Sequence, residues 1–185
     1  MQTDFPRRKP NRLNGYDYSR GGAYFITVCT KDRKEILWST DVGDDVLDVP
    51  LECAYDIGNV HLSEYGEIIK KHINNMNKTY SDVQIIQYVI MPNHIHFIIQ
   101  IKTDVLRQDG TSRTPSPTNA VIPQTISTLK RFVNKELGFN IFQRSYHDRI
   151  IRNEKEYHVI SEYIKNNPSH WEQDSLNRRN HIPMR

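Results

Sequence analysis

The spacing of hydrophobic and polar positions along the chain predicts four β-strands and three helices. Strands are predicted where β-branched and aromatic residues cluster between turn-forming residues, and helices where apolar residues recur every three or four positions. The predicted strands are 23–30, 82–90, 94–101 and 146–152, and the predicted helices are 63–80, 124–137 and 153–167. Residues 91–93, Met-Pro-Asn, predict a tight turn that joins the second and third strands into a hairpin.

Single residues predict where two of the helices begin or end. Asn153 can cap the last helix, with Glu156 three residues later completing a start similar to a capping box. Gly138 predicts the end of the second helix, and Pro168 the end of the third. Because a proline biases the residue before it away from helical geometry, the last turn is predicted to fray at Asn167 when neither metal nor DNA is bound.

The order strand, helix, strand, strand, helix, strand, helix is typical of a ferredoxin-like antiparallel sheet. We therefore predict an α+β fold in which the helices pack on one side of the sheet. The predicted divisions are a basic N-terminal arm at 1–22, a main domain at 23–168 and a C-terminal tail at 169–185 that packs only near Trp171. Within the main domain, residues 39–57 are predicted to be an acidic insertion and residues 103–121, rich in Ser, Thr and Pro, a flexible loop.

Composition argues against several classes of protein. No run approaches the roughly 18 apolar residues that a membrane span requires, so no membrane partner is expected. The charged N-terminus lacks the apolar stretch of a secretory signal, which predicts a cytoplasmic location. Two cysteines without CxxC spacing predict neither a disulfide scaffold nor a zinc site.

The basic residues are unevenly distributed, although the net charge is only +3. They cluster in the N-terminal arm and in residues 129–152, whereas residues 39–57 are acidic and contain no lysine or arginine. Such clusters can neutralise the phosphates of a nucleic acid, although any one of them taken alone is as often a solvated surface. The candidate DNA-binding residues are Arg7, Arg8, Lys9, Arg12, Lys130, Arg131, Lys135, Arg144, Arg149 and Arg152.

Two histidines, His94 and His96, interrupt an otherwise apolar strand. Because successive side chains of a strand point to opposite faces, both rings leave one face while Ile95 and Phe97 leave the other. Two imidazoles on one face can converge on a divalent ion or on a phosphate, and oxygen or amide ligands would then come from elsewhere in the chain. A purely structural role for the pair is the alternative.

Three segments of the chain resemble the REP-associated tyrosine transposases, which are related to the IS200/IS605 transposases and belong to the single-tyrosine HUH nucleases. The segments are GYDYSRGGAYFITVCTKDR (15–33), YVIMPNHIHFII (88–99) and FQRSYHDRIIRNEKEYHVISEYIKNNPSHW (142–171). The acidic insertion and the Ser/Thr/Pro-rich loop match only by position. The His-x-His element alone is weakly specific, whereas the three segments in this order are strongly specific.

The resemblance implies an HUH nuclease fold with a defined set of site residues. His94 and His96 correspond to metal ligands, Tyr163 to the nucleophile and Asn167 to the third metal ligand, and the implied metal is Mg²⁺ or Mn²⁺. Tyr163 and Asn167 are four positions apart, so a helix carries both on one side. The wider IS200-like pattern has glutamine at the position of Asn167, whereas the REP-associated branch has asparagine, as this chain does.

The implied activity is that of a metal-dependent endonuclease and strand transferase for single-stranded DNA. Such an enzyme nicks and rejoins DNA next to hairpins of the REP kind through a 5′-phosphotyrosine intermediate. The implied partner is single-stranded or hairpin DNA, and the protein would be associated with the nucleoid when DNA is bound. The sequence leaves open the target hairpin, the metal, any general base, whether an element is moved, and whether the protein is a monomer or a homodimer.

Two other functions remain open on the residues alone. A phosphohydrolase of the histidine-triad type also carries alternating histidines on an apolar strand, but it requires a third histidine where this chain has Ile98. A non-catalytic DNA-hairpin-binding protein would use the same basic residues. It would not need the complete set of two histidines, a tyrosine and an asparagine.

Overall fold

The computed structural model describes residues 21–39, 61–80, 82–102, 121–177 and 180. Its main elements are β1 (Gly22–Cys29), α1 (Glu64–Thr79), β2 (Val83–Ile90), β3 (His94–Ile101), α2 (Val121–Leu137), β4 (His147–Ile151) and α3 (Glu154–Asn166). Short 3₁₀ helices lie at Lys31–Arg33 and Pro168–Gln173. The predicted order of strands and helices is confirmed. The predicted basic arm, acidic insertion and flexible loop lie almost wholly outside the described residues.

The four strands form one antiparallel sheet in the order β2-β3-β1-β4. This is the strand order of a ferredoxin-like fold, so the predicted α+β class is confirmed. The strands β3 and β1 lie at the centre, and His96 on β3 is directly opposite Thr27 on β1. Nearly every residue of β3 is buried, so both faces of this strand are covered.

Helices cover both faces of the sheet, so the prediction of helices on one side was wrong. The helices α1 and α2 pack on the face that carries Ile26 and Phe97. The helix α3 packs on the other face, where Ile160 and Ile164 contact Ile98. Helical spacing shows that α3 has an apolar stripe, but not which face of the sheet that stripe covers. The consequence is that α3 lies on the same side of the sheet as His94 and His96.

The ends of the helices follow the predicted signals with two differences. The Asn153 side chain accepts a hydrogen bond from the Glu156 N–H at 2.9 Å, and Gly138 ends α2 with a φ of +78°. The Glu156 carboxylate accepts from the N–H of Arg152, which lies one residue before the cap. The helix α2 begins at Val121, which was predicted to belong to the flexible loop. Pro123 is tolerated in the first turn because N–H groups there have no partner within the helix.

The prediction that the chain frays at Asn167 was also wrong. Asn167 has helical dihedral angles (φ −57°, ψ −43°), and its carbonyl accepts the His170 N–H at 3.0 Å as the chain continues into the 3₁₀ helix. The avoidance of helical geometry before proline is a bias, and the following 3₁₀ turn overcomes it here. The tail packs further than predicted, because Asp174 and Asn177 are buried as well as the region of Trp171. No described helix is long and apolar enough to cross a membrane.

Candidate active site

The strand β3 brings His94 and His96 together on the face that α3 covers, as their spacing predicts. Their Nε2 atoms are 3.1 Å apart, and both side chains are buried. Backbone hydrogen bonds from Thr30, just after β1, and from Met91, in the turn before β3, hold the start of β3. The N–H and hydroxyl of Thr30 both donate to the Asn93 carbonyl, at 2.9 and 3.0 Å, and the Met91 N–H donates to the His94 carbonyl at 2.8 Å.

The hydrogen bonds of Asn93 fix the tautomer of His94. The Asn93 Nδ2 donates to the Leu176 carbonyl at 2.9 Å, which leaves its Oδ1 to face the His94 Nδ1 at 2.8 Å. Because an amide oxygen only accepts, the His94 Nδ1 carries the proton and its Nε2 presents a lone pair. Partners that orient a histidine in this way are typical of metal sites.

The partner of His96 is a hydroxyl, which can accept or donate. The Thr27 Oγ1 lies 2.8 Å from the His96 Nδ1. When the hydroxyl accepts, the His96 Nε2 also presents a lone pair, and the two lone pairs converge on one point. When the hydroxyl donates, the His96 Nε2 carries a proton and can donate it to the Nε2 of His94. The pair therefore changes from a self-paired form to a chelating form when the His96 ring proton moves from Nε2 to Nδ1 and the Thr27 hydroxyl turns to accept it.

Both imidazoles are neutral in the folded protein at pH 7. Burial lowers the pKa of His96 to about 3. Burial, followed by the neighbouring His96 and Arg33, lowers the pKa of His94 well below its usual value. Neutral imidazole is the form that binds metal ions, so protons do not compete for these ligands near pH 7.

The free energy of unfolding of the metal-free protein should therefore fall as the pH drops below 6.5. In the unfolded chain His96 is protonated below about pH 6.5, whereas in the folded protein it stays neutral until about pH 3. Each pH unit between these values therefore lowers the free energy of unfolding by about 1.4 kcal/mol. Between pH 6.5 and 5 the free energy of unfolding should fall by about 2 kcal/mol more in the parent than in His96→Gln. Denaturant unfolding with a chelator present measures this difference. Equal losses in the two proteins would contradict the low pKa of His96.

The helix α3 brings Tyr163 to the histidine pair. The Tyr163 hydroxyl is 3.3 Å from the His96 Nε2, and its ring meets Phe25 edge-on at 6.1 Å. The helix is fixed to β2 because the Ser161 hydroxyl donates to the Gln87 side chain at 2.7 Å, and the Gln87 amide donates back to the Ser161 carbonyl at 3.1 Å. With 45% of its surface exposed, Tyr163 can meet a substrate from solvent.

The Tyr163 phenol is protonated at neutral pH. Burial raises its pKa above the ordinary value, the nearby Asp174 carboxylate raises it further, and the Asn167 amide offsets part of the increase. A protonated phenol is a weak nucleophile. Attack by this oxygen therefore requires that its proton be removed or that its negative charge be stabilised.

Asn167 follows Tyr163 by one helical turn, and both line a cavity of about 460 Å³ that also reaches Asp174. The Asn167 Nδ2 is buried, and no hydrogen-bond partner for it lies among the described residues. Buried polar atoms without a partner are uncommon, so this amide is available to a ligand. Rotation of the amide exchanges its two ends, so the same side chain can present its oxygen to a cation.

Asp174 joins the site although the sequence did not predict it. Its Oδ2 lies 3.8 Å from the His94 Nε2, and ligand atoms of His94, His96 and Asp174 all lie within 4.8 Å of one another. The residue lies in a segment that was predicted to pack only near Trp171. An acidic residue without a periodic pattern around it gives no signal that distinguishes it from the other carboxylates of the tail.

The residues present fit a divalent cation. Two imidazole nitrogens, an amide oxygen and a carboxylate oxygen are ligand types that first-row divalent metals accept, and the carboxylate also suits Mg²⁺. Two ligands about 2.1 Å from one ion lie roughly 3 to 4.2 Å apart, and the 3.1 Å between the two Nε2 atoms is within that range. The identity of the metal stays a prediction.

The structure separates the predicted DNA-binding residues into two groups. Four of them line one cavity of about 540 Å³ beside the C-terminal half of α2, namely Lys130, Arg131, Lys135 and Arg144. Arg149 lies in β4, Arg152 directly follows this strand, and Arg149 forms an ion pair with Glu156.

The Lys130 ammonium donates to the carbonyls of Gln143, at 2.8 Å, and Ser145, at 3.0 Å, and burial lowers its pKa to about 8. Lys130 is therefore less available to a phosphate than its neighbours. The predicted contacts Arg7, Arg8, Lys9 and Arg12 lie outside the described residues.

Comparison with known proteins identifies the family. Residues 20–167 match the family described as "Transposase IS200 like". An uncharacterised protein of Haemophilus influenzae is 34% identical over 183 residues, covering 91% of this chain and 92% of its own. The structure of a REP-associated tyrosine transposase bound to a REP hairpin superposes with a TM-score of 0.56 and 18% identity, covering 86% of this chain and 74% of its own. The fold is thus shared with that transposase, and the chain belongs to the IS200-like transposase family, whose members are DNA-processing enzymes.

Proposed function

We propose that this protein is a metal-dependent strand transferase that nicks and rejoins single-stranded DNA beside a hairpin. The observation that carries the proposal is the position of the Tyr163 hydroxyl, 3.3 Å from the His96 Nε2. Tyr163 also lines a cavity that is open to solvent. The hairpin is proposed because the REP-associated transposase of the same fold was solved with a REP hairpin bound.

The roles of the residues follow from their atoms. His94, His96 and Asn167 would hold the cation. A bound cation would supply Lewis-acid polarisation of a non-bridging oxygen of the scissile phosphodiester. Because Tyr163 is 45% exposed, its oxygen would reach the phosphorus of an unpaired strand, and the packing of its ring against Phe25 would hold the direction of attack.

The reaction is a transesterification that balances without water. The Tyr163 oxygen forms a bond to phosphorus, the bond from phosphorus to the 3′ oxygen breaks, and the phenolic proton is transferred so that the departing strand ends in a 3′-hydroxyl. The products are a 5′-phosphotyrosyl strand and that 3′-hydroxyl strand. Because one phosphodiester replaces another, the step is readily reversed, which suits cutting and rejoining better than degradation.

The direct experiment is incubation of the protein with a panel of hairpins that carry single-stranded flanks, in the presence of Mn²⁺. We expect a covalent protein–DNA product on a denaturing gel, together with a released strand that has a free 3′-hydroxyl. Binding of the same hairpins without either product would support the non-catalytic alternative and contradict the proposal. The histidine-triad alternative is disfavoured because position 98 is a fully buried isoleucine that packs against α3.

Binding should depend steeply on salt, and the N-terminal arm should account for part of that dependence. Neutralising each phosphate contributes about −0.7 to −0.9 to the slope of log affinity against log salt. Deleting residues 1–12, which removes Arg7, Arg8, Lys9 and Arg12, should weaken binding and reduce the magnitude of the slope by up to about 3.6. Cleavage at saturating DNA should persist. Equal slopes for the full and shortened chains would exclude the arm from the DNA interface.

A further inference from the structure

We propose that Asp174 is a carboxylate ligand of the same cation, and that it makes the segment 168–177 part of the metal centre. The inference rests on the proposed function, because it assumes a cation between His94 and His96. It adds a ligand from a part of the chain beyond residue 167, where the match to the family ends.

Distance is the first argument. The Asp174 Oδ2 lies 3.8 Å from the His94 Nε2, beyond the range of a hydrogen bond. Two ligands that share an ion at about 2.1 Å from each lie roughly 3 to 4.2 Å apart. Both the 3.8 Å separation and the 3.1 Å between the histidine nitrogens meet that condition.

Burial is the second argument. The Asp174 side chain is only 2% exposed, and an isolated carboxylate is costly to bury. Its Oδ1 accepts the Leu176 N–H at 2.6 Å and the Tyr163 hydroxyl is a further hydrogen-bond partner of the carboxylate, but neither partner carries a positive charge. Among the described residues, no lysine or arginine lies within 4 Å of this carboxylate, and the His94 nitrogen that faces Oδ2 presents a lone pair. A divalent cation would neutralise the carboxylate and would be bound by the lone pairs of the Asp174 Oδ2 and the His94 Nε2.

The third argument is that the segment contacts His94 from two directions. Asp174 faces the Nε2 of His94, while the Leu176 carbonyl accepts from Asn93, which in turn fixes the Nδ1 proton of His94. The segment is internally held because the Trp171 carbonyl accepts from the Asp174 N–H and from the Asn177 side chain, both at 3.1 Å. Cation binding and the order of this segment should therefore be linked.

The test compares Mn²⁺ affinity, by calorimetry on the full chain, for Asp174→Asn, Glu172→Gln and His94→Gln. Asparagine keeps the oxygen that accepts the Leu176 N–H and removes the charge, whereas Glu172 is an exposed acid on the same segment. We expect Asp174→Asn to weaken binding by about tenfold or more, Glu172→Gln to stay within about twofold, and His94→Gln to lose binding.

The outcomes separate this inference from the proposed function. If His94→Gln loses binding while Asp174→Asn stays within about twofold of the parent, Asp174 is not a ligand and the metal site on the histidines stands. If His94→Gln also binds normally, the cation is elsewhere and both proposals fail. Should Asp174→Asn fail to fold, hydrogen exchange of the parent decides. Mn²⁺ should slow exchange at the amides of Asp174 and Asn177, and unchanged exchange there would overturn the inference.

Discussion

Tyr163→Phe should abolish the covalent protein–DNA product while leaving hairpin binding within about twofold of the parent. Phenylalanine keeps the ring that packs against Phe25 and beside His96, and it removes only the oxygen that lies 3.3 Å from the His96 Nε2. Loss of a nucleophile typically costs on the order of 10⁴-fold or more in rate. Quantifying the product on denaturing gels, with binding measured separately, gives both readouts.

The matched control for this variant is Tyr157→Phe on the same helix. Tyr157 packs against the cluster of Ile160 and Ile164, so loss of its hydroxyl should leave the yield of covalent product nearly unchanged. A Tyr163→Phe protein that still forms the product at the parental rate would show that another residue is the nucleophile. Loss of the product only in Tyr157→Phe would identify Tyr157 as the nucleophile.

His96→Gln should reduce metal-dependent cleavage by about a thousandfold or more and weaken Mn²⁺ binding in parallel. The His96 Nε2 is close to both other candidate groups, because it lies 3.1 Å from the His94 Nε2 and 3.3 Å from the Tyr163 hydroxyl. Glutamine remains polar, and so it limits the cost of removing the partner of Thr27 in a buried position. Cleavage rate against Mn²⁺ concentration is the measurement.

A half-buried histidine away from the site provides the control for this second variant. His72 lies on α1, on the other face of the sheet, and pairs with Glu136 at 2.8 Å. His72→Gln should therefore leave both the metal affinity and the cleavage rate unchanged. If His96→Gln instead folded normally and kept parental metal affinity, the histidine pair would be a structural feature of the core.

The predictable parts of the site are those that depend on short-range periodicity. The two-residue period of a strand puts His94 and His96 on one face, and the four-residue spacing on a helix puts Tyr163 and Asn167 on one side. Both relations follow from local backbone geometry, which the sequence pattern reports directly. The roles of these four residues came from the family resemblance, and they stay proposals.

The parts that could not be predicted depend on long-range packing. An amphipathic stripe on α3 does not tell which face of the sheet it covers, and that choice decides whether Tyr163 meets the histidines. Asp174 reaches the site because a 3₁₀ helix continues the chain beyond Pro168, the residue that was predicted to end the third helix. Lys130 looks like a surface cation by sequence, yet its ammonium donates to backbone carbonyls of the loop that leads to β4.

The most direct test of the proposed function is to digest the covalent protein–DNA product and map the modified peptide by mass spectrometry. The account predicts a nucleotide linked through its 5′ phosphate to Tyr163, and a released strand that ends in a 3′-hydroxyl. Linkage to any other residue would contradict the assignment of the nucleophile. Cleaved DNA with free 5′-phosphate ends and no linked peptide at any reaction time would contradict strand transfer itself.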